Sequence, residues 1–345
     1  MGFKDKPWHF VALTSLILVH YFALISYLTN RRPWLYWTTL LLPVGFLCVV
    51  KSYSVLAMLG VSYLTFRLCY LTAEAKLTKS FDLKPLAYLE FAFYLPIFTM
   101  GPILRFAEFH QSKTELTQQG VFDNLFRMLW GIFKFKVLSA MCLPMTFSLL
   151  FSDGYRHDIT DFTIACFADF IYIYLNFSGF MDIVIATAAL TGKRLPENFN
   201  HPFKSRNIQD FWNRWHITLL SFMRDMFFMP IVKVLTKRTG FASARIITVM
   251  LLVTFTLTGV WHGFGWNYLI YGLFHGTGLV AHNIYSRFLT TRLGAEGIKA
   301  YQLMAVPRVI GTLATLVFVA FSMFFFVNDM PTIQKIFKEV LIYSF

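Results

Sequence analysis

The chain has 345 residues, of which 57% are hydrophobic and only 14% are charged, and its mean hydropathy is +0.56. Soluble domains usually carry about 25% charged residues, so this composition excludes an ordinary water-soluble protein. Backbone that crosses lipid must satisfy its own hydrogen bonds, and the length is ample for many helices of about 20 residues each. We therefore expect an all-α fold, a polytopic membrane helical bundle.

The net charge of +13 invites a nucleic-acid function, but its distribution along the chain argues against one. Lysine and arginine are concentrated in short connections such as Arg31–Arg32, 76–84 and 233–238. This pattern is typical of cytoplasmic loops that lie against anionic lipid head groups. The partner that the charge predicts is the lipid bilayer, with no nucleic acid.

Apolar runs of membrane length predict about nine spanning segments. In chain order they are His9–Leu28, Trp34–Val50, Tyr53–Thr72, Leu86–Ile103, Phe126–Phe151, Phe162–Leu190, Ile246–Gly259, Trp266–Phe288 and Val309–Val327. No internal repeat or low-complexity linker divides the chain, so we expect a single membrane domain over residues 1–345.

The fourth apolar run contains a Pro/Gly interruption between Leu95 and Pro102. Each proline removes an amide donor and clashes with the preceding turn, so this run cannot be one regular helix. Irregular backbone in a membrane survives only where protein buries it or water lines it. A re-entrant or kinked element is expected, although a simple proline kink fits these residues as well.

Residues 193–245 form a basic segment that differs from its surroundings. It holds ten basic and three acidic residues, which leaves a net charge of +7, and apolar and aromatic residues are interleaved among them. Such a segment is too polar to span a membrane and too apolar to be a free loop. We expect an interfacial amphipathic arrangement.

A short helix is predicted inside this basic segment. Asn207 can cap a free amide, and Asp210 lies in the first turn, where the helix dipole favours a carboxylate. Asp210 and Arg214 are spaced four residues apart and can form an ion pair on the helix surface.

If that helix continues, Trp212, Trp215 and His216 share one face by their spacing of three and four. A histidine beside two indoles can be held in one tautomer and used for proton transfer near neutral pH. The alternative is an interfacial helix with a belt of tryptophan and arginine side chains.

His262 lies further along, in the run WHGFGW that begins at Trp261, with apolar segments on both sides. An ionisable group in such a place usually faces a cavity or a pathway, which makes it a candidate functional residue. A packing histidine that is hydrogen-bonded to a neighbouring carbonyl is the other interpretation. Position alone leaves both open.

Together these motifs resemble the membrane-bound O-acyltransferase (MBOAT) family. The resemblance rests on the pattern P-E-N-F-N-x-P-F-x-S-R-N-I-x-D-F-W-N-R-W-H-x-T-L from Pro196 to Leu219 and on W-H-G at Trp261. Weaker matches lie in the family's order at Gly60–Phe66, Phe98–Ile103 and Asn176–Ile183. The spelling D-F-W-N-R-W-H is most like the DltB branch, which acts in D-alanylation of teichoic acids. The residues after W-H-G are closer to the alginate O-acetylation branch (AlgI).

This resemblance implies a fold with re-entrant and interfacial helices around a central tunnel. It implies that His262 and His216 are catalytic, and no metal site is expected. The residues expected to position the donor are Asn213, Trp212, Trp215 and Trp261. Structural support is expected from Asp210, Arg214 and His275.

The implied activity is O-acyl transfer, with D-alanyl favoured and acetyl possible. The donor would be a cytoplasmic thioester, carried on the phosphopantetheine arm of a small acyl carrier protein or on acetyl-CoA, with no cofactor bound to the chain itself. The acceptor would be a hydroxyl of an extracytoplasmic cell-envelope polymer or of a relay protein. The expected location is the cytoplasmic membrane of a bacterium, with multiple passes.

Two other classes compete with this interpretation. A polytopic transporter of a small solute or envelope precursor also suits broken helices and buried polar groups, although no pair of matching halves is visible. A di-iron desaturase would need clustered histidine boxes, and none of the nine histidines has that spacing. A scaffold without enzymatic activity would require that the histidine motifs have no chemical role.

Overall fold

A computed structural model describes residues 7–52, 60–78, 81–152, 154–240 and 244–344. Within these ranges the regular structure is helical, apart from one isolated antiparallel bridge between Phe199 and Trp215. The α-helices are α1 (Pro7–Asn30), α2 (Pro33–Ser52), α3 (Val61–Leu77), α4 (Pro85–Phe93), α5 (Phe106–Gln111), α6 (Gln118–Phe133), α7 (Ser139–Cys142), α8 (Phe147–Leu150), α9 (Ile159–Leu190), α10 (Ile208–Trp212), α11 (Ile217–Met223), α12 (Met229–Thr239), α13 (Ala244–His262), α14 (Trp266–Leu303), α15 (Ala305–Val327) and α16 (Met330–Ser344).

Six of the described helical segments are long and apolar enough to cross a membrane. They are His9–Asn30, Pro33–Ser52, Gln118–Met145, Ile159–Leu190, Ala244–His262 and Ala305–Val327. The long segment that begins with α6 continues through a π-helical turn at Lys134–Leu138 and α7. The expected all-α polytopic membrane bundle is confirmed.

The other three expected spans have different structures. The run from Tyr53 begins outside the described residues, and α3 covers its second part with 17 residues. The run from Leu86 is broken after α4. The run from Trp266 belongs to α14, where polar residues such as Asn267 and His275 interrupt the apolar pattern.

The chain divides into two compact units, each built from separated stretches. The first comprises residues 1–129 and 181–197, and the second comprises residues 130–180 and 198–345. The single membrane domain expected from the sequence stays a prediction.

The broken element lies in the first unit and is more than a proline kink. At Tyr94 the backbone leaves helical geometry with φ −59° and ψ 106°. A 3₁₀ turn follows at Leu95–Ile97, and the chain is not helical again until α5. The irregular element expected from the prolines is therefore confirmed, and the simple kink is excluded.

A buried arginine satisfies the end of α4. Arg67 is 1% exposed and donates from Nη1 to the Phe91 carbonyl at 2.7 Å and from Nη2 to the Ala92 carbonyl at 3.4 Å. The last carbonyls of a helix have no partner within the helix, so a cationic donor stabilises them. Arg67 thus allows α4 to end inside the protein.

In the second unit, α13 and α14 pack backbone to backbone. A Cβ atom added at Gly259 would collide with the Tyr268 carbonyl oxygen, and one added at Gly272 would collide with the Phe255 carbonyl oxygen. This close approach orients the end of α13, which is where His262 lies.

The basic segment contributes several short helices to the second unit. α10 has 5 residues, whereas α11, a π-helical turn at Arg224–Phe228 and α12 continue without a break from Ile217 to Thr239. This stretch is not among the six membrane-capable segments. α12 has no buried residue, and its large side chains Met229 and Ile231 are exposed. The interfacial placement of this segment stays a prediction.

Candidate active site

His262 is the last residue of α13 and is surrounded by aromatic rings from three helices. Its ring centroid lies 4.5 Å from that of Trp261, 4.9 Å from Phe326 and 6.3 Å from Tyr271. The side chain of Asn267, at the start of α14, donates to the Phe325 carbonyl at 3.3 Å and so ties α14 to the end of α15. The imidazole is therefore held at a junction of helix ends and not in the middle of a helix.

His216 lies in a tight turn between α10 and α11. Its backbone is left-handed, with φ 46° and ψ 50°, a conformation that a non-glycine residue seldom adopts. The buried side chain of Asn198 holds this turn: its Oδ1 accepts from the Thr218 backbone N–H at 3.1 Å and from the Thr218 hydroxyl at 3.0 Å. The Ile217 N–H donates to the Asn198 carbonyl at 3.0 Å.

The same amide oxygen sets the tautomer of His216. His216 Nδ1 lies 3.2 Å from Asn198 Oδ1. Because the Thr218 backbone amide can only donate, the Asn198 atom at this position is the oxygen, and Nδ1 must donate to it. In the neutral imidazole this leaves Nε2 as the basic nitrogen.

His216 and His262 lie close enough to interact electrostatically. Burial lowers the pKa of His216 well below its usual range, and the neighbouring His262 imidazole lowers it further. Trp261 is adjacent to both, with its ring 6.3 Å from His216 and 4.5 Å from His262. Both effects favour the neutral form of the His216 imidazole.

A second histidine network supports Trp212. The Trp212 indole donates from Nε1 to His275 Nδ1 at 3.3 Å, so His275 carries its proton on Nε2 and donates it to Ser322 Oγ at 2.9 Å. Ser322 in turn donates to the Val319 carbonyl at 2.6 Å. His275 is fully buried, and the network links α10, α14 and α15.

A cavity of about 380 Å³ lies beside Trp212. Its walls are largely apolar, with polar groups contributed by Gln209, Asn213, Ser221, Arg224, Thr254 and Asn283. The hydroxyl of Thr254 is buried and has no hydrogen-bond partner among the described residues. A mostly apolar cavity with a few polar groups is typical of a site for an extended organic ligand.

The structure places the four expected donor-positioning residues in three different surroundings. Trp212 and Asn213 line the cavity. Trp215 packs in an aromatic cluster, 5.4 Å from Phe211 and 5.1 Å from Phe199, and Trp261 lies beside the two histidines.

The prediction that Trp212, Trp215 and His216 share one helix face is wrong. α10 ends at Trp212, because the left-handed turn at His216 and the bridge between Phe199 and Trp215 pull the chain out of helical geometry. The indole beside His216 is that of Trp261.

The expected support from Asp210 and Arg214 has a clear geometry. The Asn207 side chain caps α10 by accepting from the Asp210 N–H at 2.8 Å. Arg214 donates from Nε to Asp210 Oδ1 at 2.8 Å and from Nη1 to the Asn200 carbonyl at 3.2 Å. This pair fastens the ends of the turn that carries His216.

Sequence reasoning missed Asn198, which determines both the turn and the tautomer. The available signal was its position in P-E-N-F, two residues after Pro196, in an irregular stretch upstream of His216. An asparagine there can bond backbone in a turn, but the sequence does not show which turn it meets.

Residues 13–324 match the family model described as MBOAT, membrane-bound O-acyltransferase family. The chain belongs to this family. It is similar to the teichoic acid D-alanyltransferase of Streptococcus thermophilus, with 32% identity over 246 residues, 68% of this chain and 59% of that protein. The teichoic acid D-alanyltransferase of Bacillus subtilis is 30% identical over 244 residues, 68% of this chain and 61% of that protein.

The peptidoglycan O-acetyltransferase of Helicobacter pylori is 29% identical over 262 residues, 74% of this MBOAT chain and 46% of that protein. The chain thus spans about three fifths of the length of the two D-alanyltransferases and about half of the O-acetyltransferase. These relatives differ in the acyl group that their names specify, and all act on a cell-envelope polymer.

Proposed function

We propose that this protein is an O-acyltransferase that moves an acyl group from a thioester to a hydroxyl of a cell-envelope polymer. The observation that carries the proposal is the pair of His262 and His216, one at the end of α13 and one in a buried turn, with both rings beside the Trp261 indole. A hydroxyl needs a base to become a good nucleophile, and neutral imidazole is well suited to this at physiological pH.

His262 is the general base in this proposal. It takes the proton of the acceptor hydroxyl while the oxygen attacks the thioester carbonyl, which forms the new C–O bond. The C–S bond then breaks, and the imidazolium of His262 returns the proton to the departing sulfur. The aromatic rings around His262 limit the access of water, which would otherwise compete as the acceptor.

His216 acts as a positioning residue beside the base. Because Asn198 holds Nδ1–H, the basic Nε2 of His216 can accept a hydrogen bond from a substrate group. Its lowered pKa keeps it neutral, so it does not add a second positive charge when His262 becomes protonated. The Trp261 indole lies beside both rings.

The cavity beside Trp212 is the proposed site for the arm of the donor. A pantetheine arm carries amide groups on an apolar chain, and the cavity offers the side-chain amides of Gln209 and Asn213 and the hydroxyl of Thr254 on apolar walls. Thr254, Thr258 and His262 are spaced four residues apart on α13, so they follow one face over about 12 Å. An arm seated in the cavity and extended along this face reaches His262.

The finer assignment favours a D-alanyl group carried by a small acyl carrier protein on the cytoplasmic side. It is supported by the 32% identity with a teichoic acid D-alanyltransferase and by the D-F-W-N-R-W-H spelling at Asp210–His216. Acetyl from acetyl-CoA remains the second donor to test, since a peptidoglycan O-acetyltransferase is 29% identical. The acceptor would be an extracytoplasmic envelope polymer or a relay protein, in the cytoplasmic membrane of a bacterium.

The test uses the full chain in liposomes with labelled D-alanyl carrier protein or labelled acetyl-CoA and a hydroxyl acceptor. We expect His262→Gln to lower the transfer rate by about 10²–10⁴-fold, because a general base contributes that much. His110→Gln, in the first unit, is the matched control and should transfer at the wild-type rate. Undiminished transfer by His262→Gln at equal folded yield would contradict the proposal, and the preferred donor would decide the acyl group.

A further inference from the structure

A second cavity of about 390 Å³ lies in the second unit, between the later part of α14, the start of α15 and the residues just before α10. It shares no lining residue with the cavity beside Trp212. Its polar lining is dominated by cationic and hydrogen-bonding side chains, namely Arg206, Arg308, His282, Tyr285, Tyr301 and Gln302. None of its described lining residues is acidic.

We infer that this second cavity binds the phosphate of an anionic glycerolipid. Two guanidinium groups from different parts of the chain converge on it, and guanidinium recognises phosphate oxygens through paired N–H donors. The inference does not depend on acyl transfer.

The two arginines are anchored without being neutralised. Arg308 donates from Nη2 to the Leu303 carbonyl at 3.2 Å, which is a neutral acceptor. Arg206 Nε is 3.8 Å from Asp210 Oδ2, whereas Arg214 approaches the same carboxylate to 2.8 Å. Asp210 is therefore bonded mainly to the side chain of Arg214, and the Arg206 guanidinium can still donate to a ligand.

The tyrosine pair supplies a further donor. Tyr285 and Tyr301 bond to each other through their hydroxyls at 2.9 Å, across the break in α14 at Gly294, where φ is 66°. One hydroxyl proton is used within the pair, so the other hydroxyl proton can be donated to a phosphate oxygen. Only a residue that tolerates positive φ lets the chain fold back at Gly294 and bring the two rings together.

The position of the cavity along the helices indicates a lipid as the source of the phosphate. The membrane-capable part of α15 begins at Ala305, and the apolar run in α14 ends near Phe288. Val306, Arg308 and Ile310 lie in the first two turns of that part of α15, and Tyr285 and Leu289 flank Phe288, so we expect these lining residues at the level of lipid head groups. Apolar side chains such as Leu289, Val306 and Ile310 complete the wall and suit the glycerol and the first acyl carbons.

The experiment measures lipid retention on the purified full chain by native mass spectrometry, after exchange into micelles with equal phosphatidylglycerol and phosphatidylcholine. We expect wild type to retain phosphatidylglycerol preferentially, and Arg308→Gln or Arg206→Gln each to lower that retention about tenfold, because a charge-assisted hydrogen bond is lost. Arg287→Gln is the matched control: it also removes one positive charge, here from α14, but Arg287 does not line the cavity. It should retain phosphatidylglycerol like wild type.

An equal loss in Arg287→Gln would overturn the inference, because the attraction would then be that of a charged surface. So would equal retention of the two lipids by wild type. A parallel experiment adds sn-glycerol 3-phosphate without lipid and measures thermal unfolding. If it stabilised the protein as strongly as phosphatidylglycerol does, the cavity would be assigned to a soluble phosphate ester, and the inference of a lipid would be overturned. Tyr301→Phe, which keeps the ring, provides a mild second variant and should lower retention by a smaller factor than Arg308→Gln.

Discussion

Two irregular segments, one in each unit, have buried backbone groups that are hydrogen-bonded by a side chain. The side chain is charged in one segment and neutral in the other. In the first unit, the chain after α4 leaves helical geometry at Tyr94, and the charged side chain of Arg67 satisfies the carbonyls that are left over. In the second unit, the chain between α10 and α11 turns at His216, and the neutral amide of Asn198 satisfies the turn. Both supporting side chains are almost completely buried.

The difference follows from what each segment does. A guanidinium bonds strongly to carbonyls, but its charge would shift the pKa of any titrating group nearby. Beside His216 a fixed charge would change the pKa of the imidazole. A neutral amide holds the turn and leaves the electrostatics to the histidines. We therefore expect substitution of Arg67 to change mainly the stability of the protein, and substitution of Asn198 to change mainly its acyl-transfer activity.

The largest effect is expected at Arg67. Arg67→Met leaves the buried carbonyls of Phe91 and Ala92 without their donor, which should lower the free energy of unfolding by about 3 kcal/mol. Thermal unfolding in detergent measures the loss. Arg31→Met is the matched control, since Arg31 also donates to two carbonyls, of Ala75 at 2.6 Å and Thr78 at 3.2 Å, but on the surface. If both variants lost the same stability, burial would not be what gives Arg67 its importance.

Asn198→Asp tests the comparison directly, because it replaces the neutral amide that holds the turn at His216 by a charged carboxylate. The carboxylate can still accept from Thr218 and His216, and it raises the pKa of His216, since it favours the imidazolium. Transfer that needs neutral His216 is then lost as the pH falls through this raised pKa, so the acid limb moves to higher pH. We expect about tenfold lower transfer at pH 6, relative to the alkaline plateau, than for wild type.

The measurement is a pH profile of acyl transfer for wild type, Asn198→Asp and Asn200→Asp. Asn200 is exposed and lies two residues away, so it controls for the added charge alone. A profile for Asn198→Asp that coincides with that of wild type would show that residue 198 does not influence the pKa of His216.

The smallest effect is expected at Ser322, which tests whether a neutral network in the second unit contributes to stability as well. Ser322→Ala removes the acceptor of the buried His275 Nε2–H, and we expect a loss of about 1–2 kcal/mol and only a few-fold change in transfer. Ser152→Ala is matched, because Ser152 also donates to the carbonyl three residues before it, at 2.8 Å, but is exposed. An unchanged unfolding temperature for Ser322→Ala would show that the hydrogen bond from His275 to Ser322 does not contribute to stability.

The sequence predicted the features that depend on neighbours along the chain. Composition and apolar runs predicted the membrane bundle, the prolines predicted the broken element, and Asn207 and Asp210 predicted the start of α10. The end of α10 was not predictable in this way. It depends on Asn198 and on the bridge between Phe199 and Trp215, which are contacts between residues far apart in sequence.

Arg67 illustrates the same limit from the other side. A lone arginine in the apolar run of α3 is visible in the sequence, and so is the break after α4. Their connection is not visible, because it spans 24 residues and depends on how α3 packs on α4. Hydropathy also did not predict how the apolar runs from Leu86 and Trp266 are built, since it does not distinguish a regular helix from an apolar run that breaks or carries polar contacts.

The contact between α13 and α14 restricts the mutations that the chain can tolerate. At Gly259 and Gly272 the space for a Cβ is already filled by a carbonyl oxygen of the other helix. Every missense mutation of a glycine codon adds at least that one carbon atom, so no conservative replacement exists at either position. Gly259 and Gly272 carry no functional group, yet we expect them to be among the least tolerant positions in a saturation screen.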